Sequence, residues 1–359
     1  MIYIIAEIGV NHNGSFIVAK KLIKAATQAG ANAVKIQNFI PEEMILENTQ
    51  KANYQRKTTS KSETQDMMLK NLMLNNNECI KLKRYAEKNK IDFISTPFDD
   101  TSFNFLVNRM NLKTIKISST DTDNIPFLIK AGSCNKNIIL STGMSTIDDV
   151  DLALSALAYG NKKYKKKFDI KKNKKYYLNN LKYIKSKVVL MHCTTEYPAP
   201  KDELNLNVID TYKNRYKIRV GYSDHSCNKL TPVIAASKGI SMIEAHITID
   251  KKMIGPDHKS SLSILNFKKY VSDIRETEKM TGSFKKFITK SEKKNKSIAR
   301  KSLVLKKNIK KNEVITNDHI ICKRPSIGIS PKYYYDILNK KSLKDMTKNT
   351  IIKNTFIKK

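Results

Sequence analysis

Residues 1–37, MIYIIAEIGVNHNGSFIVAKKLIKAATQAGANAVKIQ, carry the pattern from which the fold can be predicted. The apolar run Ile2–Ile8 is typical of a buried strand, and Ala33–Gln37 is a second run of the same kind. Between them, from about Ser15 to Gly30, apolar residues recur on one helical face, and Gly30 is suited to end that helix. The face consists of Ile17, Leu22, Ala25, Ala26 and Ala29. The stretch therefore predicts a strand–helix–strand unit.

The same alternation continues along the chain. Six more β-rich runs follow, each separated from the next by a segment with helical spacing: Asp92–Ser95, Thr114–Ile117, Asn137–Ser141, Val188–His192, Arg219–Tyr222 and Ser241–Glu244. A helix over Leu265–Met280 follows the last strand. Eight such units within about 280 residues predict an α/β protein with a (β/α)8 TIM barrel.

The sequence changes character after the barrel. A Lys- and Ser-rich stretch, Gly282–Ser297, precedes short apolar runs that are broken by turns. These runs are Ser302–Leu305, Glu313–Ile315 and Ile320–Lys323. We therefore predict a barrel domain over 1–282, a linker over 283–298 and a small β-rich domain over 299–359.

Two stretches are interpreted as insertions. Thr49–Asn77 follows the second strand and includes a helical Thr64–Leu74, so we expect it at the C-terminal face of the barrel. Gly160–Lys185 precedes a strand and therefore belongs at the opposite face. For this second, Lys-rich insertion we predict a solvated loop without a catalytic role.

The 359-residue chain has a formal net charge of +34, from 67 Lys and Arg against 33 Asp and Glu. Such an excess admits a basic nucleic-acid-binding protein as an alternative. The excess is mostly Lys, accompanied by many Asn and Ile and by no Trp, which is typical of a genome-wide compositional bias. The densest run, Lys162–Lys187, lacks the glycine and aromatic spacing of an RNA-binding sheet. We therefore predict no nucleic-acid partner.

Neither a membrane span nor a signal peptide is expected. The longest apolar runs, such as Ile2–Ile5 and Lys187–Met191, are far shorter than the about 20 residues that cross a bilayer. Glu7 interrupts the first apolar run, and no basic segment precedes it. The five cysteines are odd in number and form no C-x-x-C pair. These features predict a reduced, cytoplasmic protein.

Polar residues lie at the end of one predicted strand after another. In a closed barrel these ends converge on one mouth, so residues far apart in sequence can form one site. This regularity favours an enzyme over a structural protein. The residues are Glu7, Asn11, His12, Lys35, Gln37, Ser95, Thr96, Lys116, Ser118, Ser119, Asp121, Ser141, Thr142, His192, Thr194, Ser223, Asp224, His225, Glu244 and His246.

His225 and His246 follow neighbouring predicted strands, so both imidazoles can reach one ion. Two neutral imidazoles completed by oxygen ligands suit Mn²⁺, Fe²⁺, Co²⁺ or Zn²⁺. A single histidine at such a place would more often be a hydrogen-bonded core residue. The adjacent pair favours a metal site.

Lys35 and Lys116 end the second and fourth predicted strands. Such a lysine can be a Schiff-base nucleophile, a fixed cation for an anionic substrate or a solvated side chain. The accompanying hydroxyls of Thr96, Ser119, Ser141 and Ser223 favour an anion, because they suit a phosphate or carboxylate. The segment Ser141–Met144 also opens a helix after a strand, where backbone N–H groups bind anions.

Seven motifs of the predicted barrel are recognisable: AEIGVNHNG from Ala6, VKIQ from Val34, STPFD from Ser95, LSTGM from Leu140, HCTTEYPAP from His192, VGYSDH from Val220 and GPDH from Gly255. Through these motifs the chain resembles the bacterial sialic acid synthase family over almost its full length. The C-terminal segment, with KRP from Lys323 and GISP from Gly328, is similar to the antifreeze-like (SAF) domain of that family.

The resemblance implies condensation of phosphoenolpyruvate with an N-acylated amino-hexose, which gives a nine-carbon 2-keto acid and phosphate. Two acceptor sugars remain open: N-acetylmannosamine, and 2,4-diacetamido-2,4,6-trideoxymannose as in the legionaminic acid type. YQRKTT from Tyr54 and the Cys193–Pro200 and Gly255–Lys259 stretches are more similar to the legionaminic acid type. A Schiff-base aldolase that uses Lys116 is the alternative within enzymes.

The resemblance also implies roles for individual residues. His225 and His246 become ligands of a divalent metal, Mn²⁺ in the first place, with Mg²⁺ or Co²⁺ as alternatives. Glu7 becomes a carboxylate that positions or deprotonates water, or one that pairs with a lysine. Phosphoenolpyruvate is implied to bind to Lys35, Lys116, Thr96, Ser119, Ser141 and Ser223. The sugar is implied to bind to Gln37 and Asp257.

Arg324 is implied to contact the sugar bound by a partner subunit, which predicts a domain-swapped homodimer. Two positions depart from the family pattern. Asp121 stands where the family usually has Glu; its side chain is one methylene shorter, so its contact with sugar or water would be weaker or would go through a water molecule. Ala245 stands where Lys or Arg usually precedes the metal histidine, His246.

Overall fold

The computed structural model describes residues 1–56, 58–60, 63–164 and 167–358. Contacts divide the chain into two compact units, Met1–Gly282 and Ser283–Lys359. Within the described part, no helix is both long and apolar enough to cross a membrane.

The first unit is a closed parallel barrel, as the alternation of strands and helices predicts. Eight strands pair in chain order, and β1 closes the ring by pairing with β8. The two-residue β9, Leu262–Ser263, pairs with the upper end of β8. The barrel strands are β1 Tyr3–Gly9, β2 Ala33–Asn38, β3 Asp92–Pro97, β4 Thr114–Ile117, β5 Asn137–Ser141, β6 Val188–Cys193, β7 Arg219–Asp224 and β8 Met242–Thr248.

Helices connect the strands and cover the barrel. Helix α1 shows the local reasons: Ser15 caps its first turn by accepting a hydrogen bond from the Val18 N–H, and Leu22 and Ala26 lie on its buried face. The helices of this unit are α1 Phe16–Gln28, α2 Pro41–Met44, α3 Asn53–Arg56, α4 Gln65–Leu72, α5 Asn76–Lys88, α6 Asp100–Asn104, α7 Ile125–Ser133, α8 Ile147–Lys162, α9 Asn173–Leu178, α10 Leu181–Lys187, α11 Val208–Tyr216, α12 Thr231–Ser237 and α13 Ile264–Thr281.

The barrel interior is apolar at the bottom and polar at the top. Ile5, Ala33, Ile94, Ile139 and Val189 form a buried layer inside the lower half. Because side chains of a strand alternate between its faces, residues two positions further along point to the same interior. Those residues are Glu7, Lys35, Thr96, Ser141 and the thioether Met191. The strands that build the core therefore also carry the polar groups to the barrel mouth.

Two strands extend further than the sequence predicts. Strand β7 continues to Asp224 and β8 to Thr248, whereas the sequence predicts ends at Tyr222 and Glu244. Polar residues at a barrel mouth resemble loop residues in sequence, although their backbones still pair with the neighbouring strands. Glu244 and His246 consequently lie within β8 and not after it.

The Lys-rich insertion is not the solvated loop that the sequence predicts. It forms α9 and α10, and Tyr183 and Ile184 of α10 are buried against the barrel. Tyr159, Tyr164, Phe168 and Tyr176 pack together with ring centroids 5.1–5.4 Å apart. The aromatic residues between the lysines are therefore part of a packed subdomain. Lys165 and Lys166 lie outside the described residues.

The second unit is small and β-rich. Strands β10, Ser302–Leu305, and β11, Ile320–Lys323, form an antiparallel pair above a core that includes Leu303, Ile315 and Ile352. The predicted strand Glu313–Ile315 forms only an isolated bridge, between Val314 and Lys341. Helix α14, Lys290–Ala299, occupies most of the predicted linker, because Thr289 and Glu292 form a capping box at its start. A short α15 spans Tyr334–Ile337.

Helices α7 and α8 touch through glycines. A Cβ atom at Gly160 would collide with the carbonyl oxygen of Ile129, and one at Gly132 would collide with that of Leu157. Glycine therefore permits the two helix backbones to approach closely.

We predict that Gly160→Ala lowers the free energy of unfolding by about 1–3 kcal/mol, because the added methyl group overpacks this contact. Denaturant titration of the whole chain measures the change. Ser133→Ala, at an exposed position of α7, is the control and should change the free energy by less than about 0.5 kcal/mol. Equal values for the two variants would contradict the close helix contact.

Candidate active site

The register of the barrel places three predicted site residues side by side. Glu7 on β1 is paired in register with Lys35 on β2 and with His246 on β8. Glu7 Oε2 lies 2.7 Å from Lys35 Nζ, and both side chains are buried. Lys35 Nζ also donates a hydrogen bond to Thr96 Oγ1 at 3.1 Å. Glu7 thus forms an ion pair with a lysine, one of the two roles considered for it.

Glu244 is the centre of the charged cluster. Its two carboxylate oxygens accept hydrogen bonds from Lys116 Nζ at 3.0 and 2.9 Å. The same carboxylate lies 3.7 Å from Lys35 Nζ and accepts a hydrogen bond from Ser223 Oγ at 3.0 Å. Burial favours the neutral acid, but Lys116 and Lys35 outweigh it and hold the pKa of Glu244 below its usual range. One carboxylate therefore fixes the positions of both lysines.

The sequence marks Glu244 only as a strand-end residue and indicates no role for it. A signal was present: Glu244 is two positions before His246, so the two side chains point to the same face of a strand. The predicted end of β8 at Glu244 concealed this alternation.

The two predicted metal histidines lie together. The ring centroids of His225 and His246 are 5.7 Å apart, and Tyr197 stacks on His225 with a centroid distance of 4.3 Å. His225 Nδ1 donates to the Thr194 carbonyl at 2.7 Å, so the lone pair of the ring is on Nε2. Burial lowers the pKa of His225 to about 4 and also lowers that of His246. Both rings are therefore neutral, as metal ligands must be.

The histidine pair fits a divalent cation in part. His246 Nδ1 is buried without a hydrogen-bond partner among the described residues, and it lies 3.9 Å from Asp257 Oδ2. An unpaired buried nitrogen is costly unless something binds it. Within the described chain, however, no group of three or more His, Cys, Asp or Glu side chains is arranged for a metal. The protein would thus provide two imidazoles and leave the other positions to water or substrate oxygen.

A second wall of the mouth carries hydroxyl and backbone donors. Ser119 Oγ accepts a hydrogen bond from the Gly143 N–H at 2.9 Å and lies 3.2 Å from Cys193 Sγ. Ser119 follows β4, Gly143 follows β5 and Cys193 ends β6. Three neighbouring strand ends therefore bring small polar groups to the lysines.

These groups face one cavity of about 230 Å³. The cavity brings together nearly all the residues that the sequence predicts for the site. They are Glu7, Lys35, Gln37, Thr96, Lys116, Ser119, Ser141, Ser223, His225, His246 and Asp257.

Two predicted site residues are not in this group. The carboxylate of Asp121 is held by Asn124 Nδ2 at 2.9 Å on its own turn, and Asp121 does not line the cavity. Arg324 is exposed and belongs to the second unit, so its role stays a prediction.

Asp257 is held in place by contacts of its neighbour His258, a residue of the GPDH motif to which the sequence assigns no role. His258 is fully buried; its Nε2 donates to Asn13 Oδ1 at 3.0 Å, and its Nδ1 lies 2.7 Å from Thr248 Oγ1. These contacts join the loop after β1 to the loop after β8. They hold the neighbouring Asp257 at the cavity.

The insertion after β2 reaches the same cavity, as its place in the sequence predicts. Gln55, Gln65, Met68 and Leu69 of the insertion line it, and so does Met44, which lies just before the insertion. The sequence predicts that this insertion lies at the catalytic face, but it does not predict these contacts. An apolar residue of a helix looks the same in sequence whether it lines a cavity or packs in a core. Lys57, within the YQRKTT motif, lies outside the described residues.

Buried charges gathered at the mouth of a closed parallel barrel define a TIM-barrel enzyme. Comparison with known proteins gives the family. The NeuB family matches residues 22–286, and the SAF domain matches residues 300–358. The chain therefore belongs to the NeuB family and has a C-terminal SAF domain, which confirms the resemblance to sialic acid synthases.

The relatives with assigned activities are sugar acid synthases. The chain is 40% identical over 350 residues to the N,N'-diacetyllegionaminic acid synthase of Campylobacter jejuni, with 98% of each chain covered. It is 34% identical to the enzyme of the same name from Legionella pneumophila, with 98% of this chain and 93% of that one covered. The crystal structure of N-acetylneuraminic acid synthetase from Leptospira borgpetersenii, in complex with citrate, has a TM-score of 0.67 and 30% identity, covering 82% of this chain and 90% of that one. The chain is an enzyme of this synthase class.

We predict that Glu244→Ala lowers the free energy of unfolding by about 3–5 kcal/mol, because it leaves buried Lys116 without its counter-ion. Denaturant titration tests this. The control is Glu87→Ala, which removes the same charge from a surface pair with Lys83 and should cost less than about 1 kcal/mol. A small effect at Glu244 would mean that the lysines do not depend on it.

Proposed function

We propose that the protein condenses phosphoenolpyruvate with an N-acylated amino-hexose, giving a nine-carbon 2-keto sugar acid and phosphate. One observation carries the proposal: two neutral imidazoles and two buried ammonium groups face a single cavity in a barrel of the NeuB family. The names of the Campylobacter and Legionella relatives favour 2,4-diacetamido-2,4,6-trideoxymannose as the acceptor over N-acetylmannosamine.

The lysine side of the cavity suits the anionic substrate. Lys35 and Lys116 are fixed by Glu7 and Glu244, so their charges need no reorganisation when an anion arrives. Thr96, Ser119, Ser141 and Ser223 supply hydroxyl groups around them. These residues would hold the phosphate and carboxylate groups of phosphoenolpyruvate.

The histidine side suits the sugar aldehyde. His225 and His246 would hold a divalent ion, Mn²⁺ in the first place, with Mg²⁺ or Co²⁺ as alternatives. When bound, such an ion supplies Lewis-acid polarisation of a carbonyl oxygen. Gln37 and Asp257 line the cavity near these residues and would orient the sugar.

The bond-forming step joins C3 of phosphoenolpyruvate to the aldehyde carbon. Water adds to C2, and the tetrahedral intermediate then loses phosphate. Glu7 is the carboxylate placed to orient or deprotonate that water, since its Oε1 has no hydrogen-bond partner among the described residues. Lys35, 2.7 Å from Oε2, orients the Glu7 carboxylate.

A Schiff-base mechanism fits Lys116 less well. Burial lowers the pKa of Lys116, which favours a nucleophilic amine, but its Nζ donates to both oxygens of Glu244. An ammonium group paired in this way is a fixed cation. Contact of Arg324 with the sugar of a partner subunit, in a domain-swapped homodimer, completes the proposal and rests on the family resemblance. The cytoplasmic setting is proposed from the odd number of cysteines without a C-x-x-C pair and from the short apolar runs of the sequence.

We expect purified protein to release phosphate from phosphoenolpyruvate only when an acceptor sugar and Mn²⁺ are present. The assay compares N-acetylmannosamine with 2,4-diacetamido-2,4,6-trideoxymannose and follows phosphate and the 2-keto acid together. Borohydride treatment with pyruvate is the parallel experiment. If neither sugar leads to phosphate release, or if a stable adduct forms on Lys116, the proposed condensation is contradicted.

We expect a chelator to abolish turnover and Mn²⁺ to restore it. Binding of Mn²⁺, followed by its electron paramagnetic resonance signal, provides a readout that does not depend on turnover. His225→Gln and His246→Gln should each lose high-affinity binding, because each removes one of two protein ligands. The control His319→Gln changes a buried histidine of the second unit and should retain it. Unchanged binding in the first two variants would overturn the metal assignment.

A further inference from the structure

The described part of the insertion after β2, together with Met44 of α2, forms one wall of the cavity. Helix α4 of the insertion and helix α2, just before the insertion, pack around an apolar cluster that is separate from the barrel core and whose buried members are Val10, Phe39, Met68, Leu69 and Leu72. Met44, Ile45 and Phe98 pack against this cluster. The insertion therefore has its own core directly at the catalytic mouth.

A buried lysine organises the turn between α3 and α4. Lys51 Nζ donates to Thr59 Oγ1 at 2.9 Å and to the Ser60 carbonyl at 2.5 Å, and it lies 3.5 Å from Glu63 Oε2. Thr58 Oγ1 also donates to the Pro256 carbonyl at 3.3 Å. The insertion is thus fastened to the loop that carries Asp257.

Among the described residues, the side chains of this wall that line the cavity are uncharged. Its lining side chains are three apolar groups, Met44, Met68 and Leu69, and two amides, Gln55 and Gln65. The floor of the cavity, formed by the strand ends, is charged, with Lys35 and Lys116 as its cations. Gln55 Oε1 accepts a hydrogen bond from the Ala52 N–H at 3.0 Å, which orients its amide. The side-chain amide of Gln65 makes no hydrogen bond to the rest of the described chain.

We infer that this wall, formed by Met44, Gln55, Gln65, Met68 and Leu69, binds the acetamido and deoxy substituents of the acceptor sugar and selects against N-acetylmannosamine, which has hydroxyl groups where the diacetamido-trideoxy sugar has an acetamido group at C4 and a methyl group at C6. The inference rests on the proposed function. Phosphoenolpyruvate is an anion and belongs on the lysine floor, which leaves the neutral wall to the uncharged sugar. An acetamido group combines an amide with a methyl group, as the wall combines amides with apolar side chains.

Physical chemistry gives the size of the selection. A hydroxyl group held against methionine loses its water without gaining a hydrogen bond. Apolar pockets discriminate against an added hydroxyl by only about a hundredfold. The wall should therefore favour the diacetamido-trideoxy sugar over N-acetylmannosamine by about ten- to a hundredfold in kcat/KM.

The test compares two adjacent methionines of α4. Met68 is buried and lines the cavity, whereas Met67 is 54% exposed and does not line it. Met68→Gln keeps the shape of the side chain but makes it polar, so it should reduce the preference between the two sugars about tenfold. Met67→Gln should leave the preference unchanged. The KM for phosphoenolpyruvate should stay the same in both variants.

Gln65→Leu is the second variant, since Gln65 is partly exposed and its exchange should not disturb folding. It should raise the KM for the diacetamido sugar about tenfold, the loss of one hydrogen bond, while the KM for phosphoenolpyruvate stays constant. If both variants change the two sugars equally, or change only kcat, the wall does not select the sugar. If wild-type protein condenses phosphoenolpyruvate with neither sugar, the proposed function itself fails.

Discussion

Four buried charges at the barrel mouth require each other. Glu7, Lys35, Lys116 and Glu244 are all nearly inaccessible to water, and two lysines pair with two carboxylates. Burial raises the pKa of Glu7 to about 7, whereas Lys116 and Lys35 hold the pKa of Glu244 below its usual range. In a medium of low polarity an unpaired charge is far costlier than a paired one. The four residues come from β1, β2, β4 and β8, so they can pair only when the barrel is closed. Folding of the sheet and assembly of the site therefore satisfy the same constraint.

The alternation of side chains along each strand makes this arrangement possible. On β1, Ile5 lies in the apolar layer, and Glu7 follows it on the same face; on β2, Ala33 and Lys35 repeat the pattern. One strand thus contributes to the core below and to the chemistry above. This placement keeps the lysines on rigid elements, where preorganised charges are most effective.

The same alternation explains what could be predicted from the sequence. The strands, the histidine pair and the lysine pair follow from local patterns and from the convergence of strand ends, and the structure places them as expected. The role of Glu244 could not be predicted from a pattern, because it depends on which groups surround it after closure. The Gly160–Lys185 insertion was misjudged for a related reason: its many lysines hid the aromatic residues that pack beneath them. The sequence also does not show that Asn124 holds the carboxylate of Asp121 on a short turn outside the cavity lining.

Barrel strands and insertion also divide the tasks of the site. The strand ends hold the charges, and moving any of them would unpair a buried ion, so this floor tolerates little change. The described residues of the wall around Met68 that line the cavity are uncharged and belong to or adjoin a separate small core, so these side chains can be exchanged without breaking an ion pair. Under the proposed function, the closed sheet would fix the chemistry, while the segment packed on top of it would set the preference among sugars. Such a division allows one barrel to keep a single reaction and serve different acceptors.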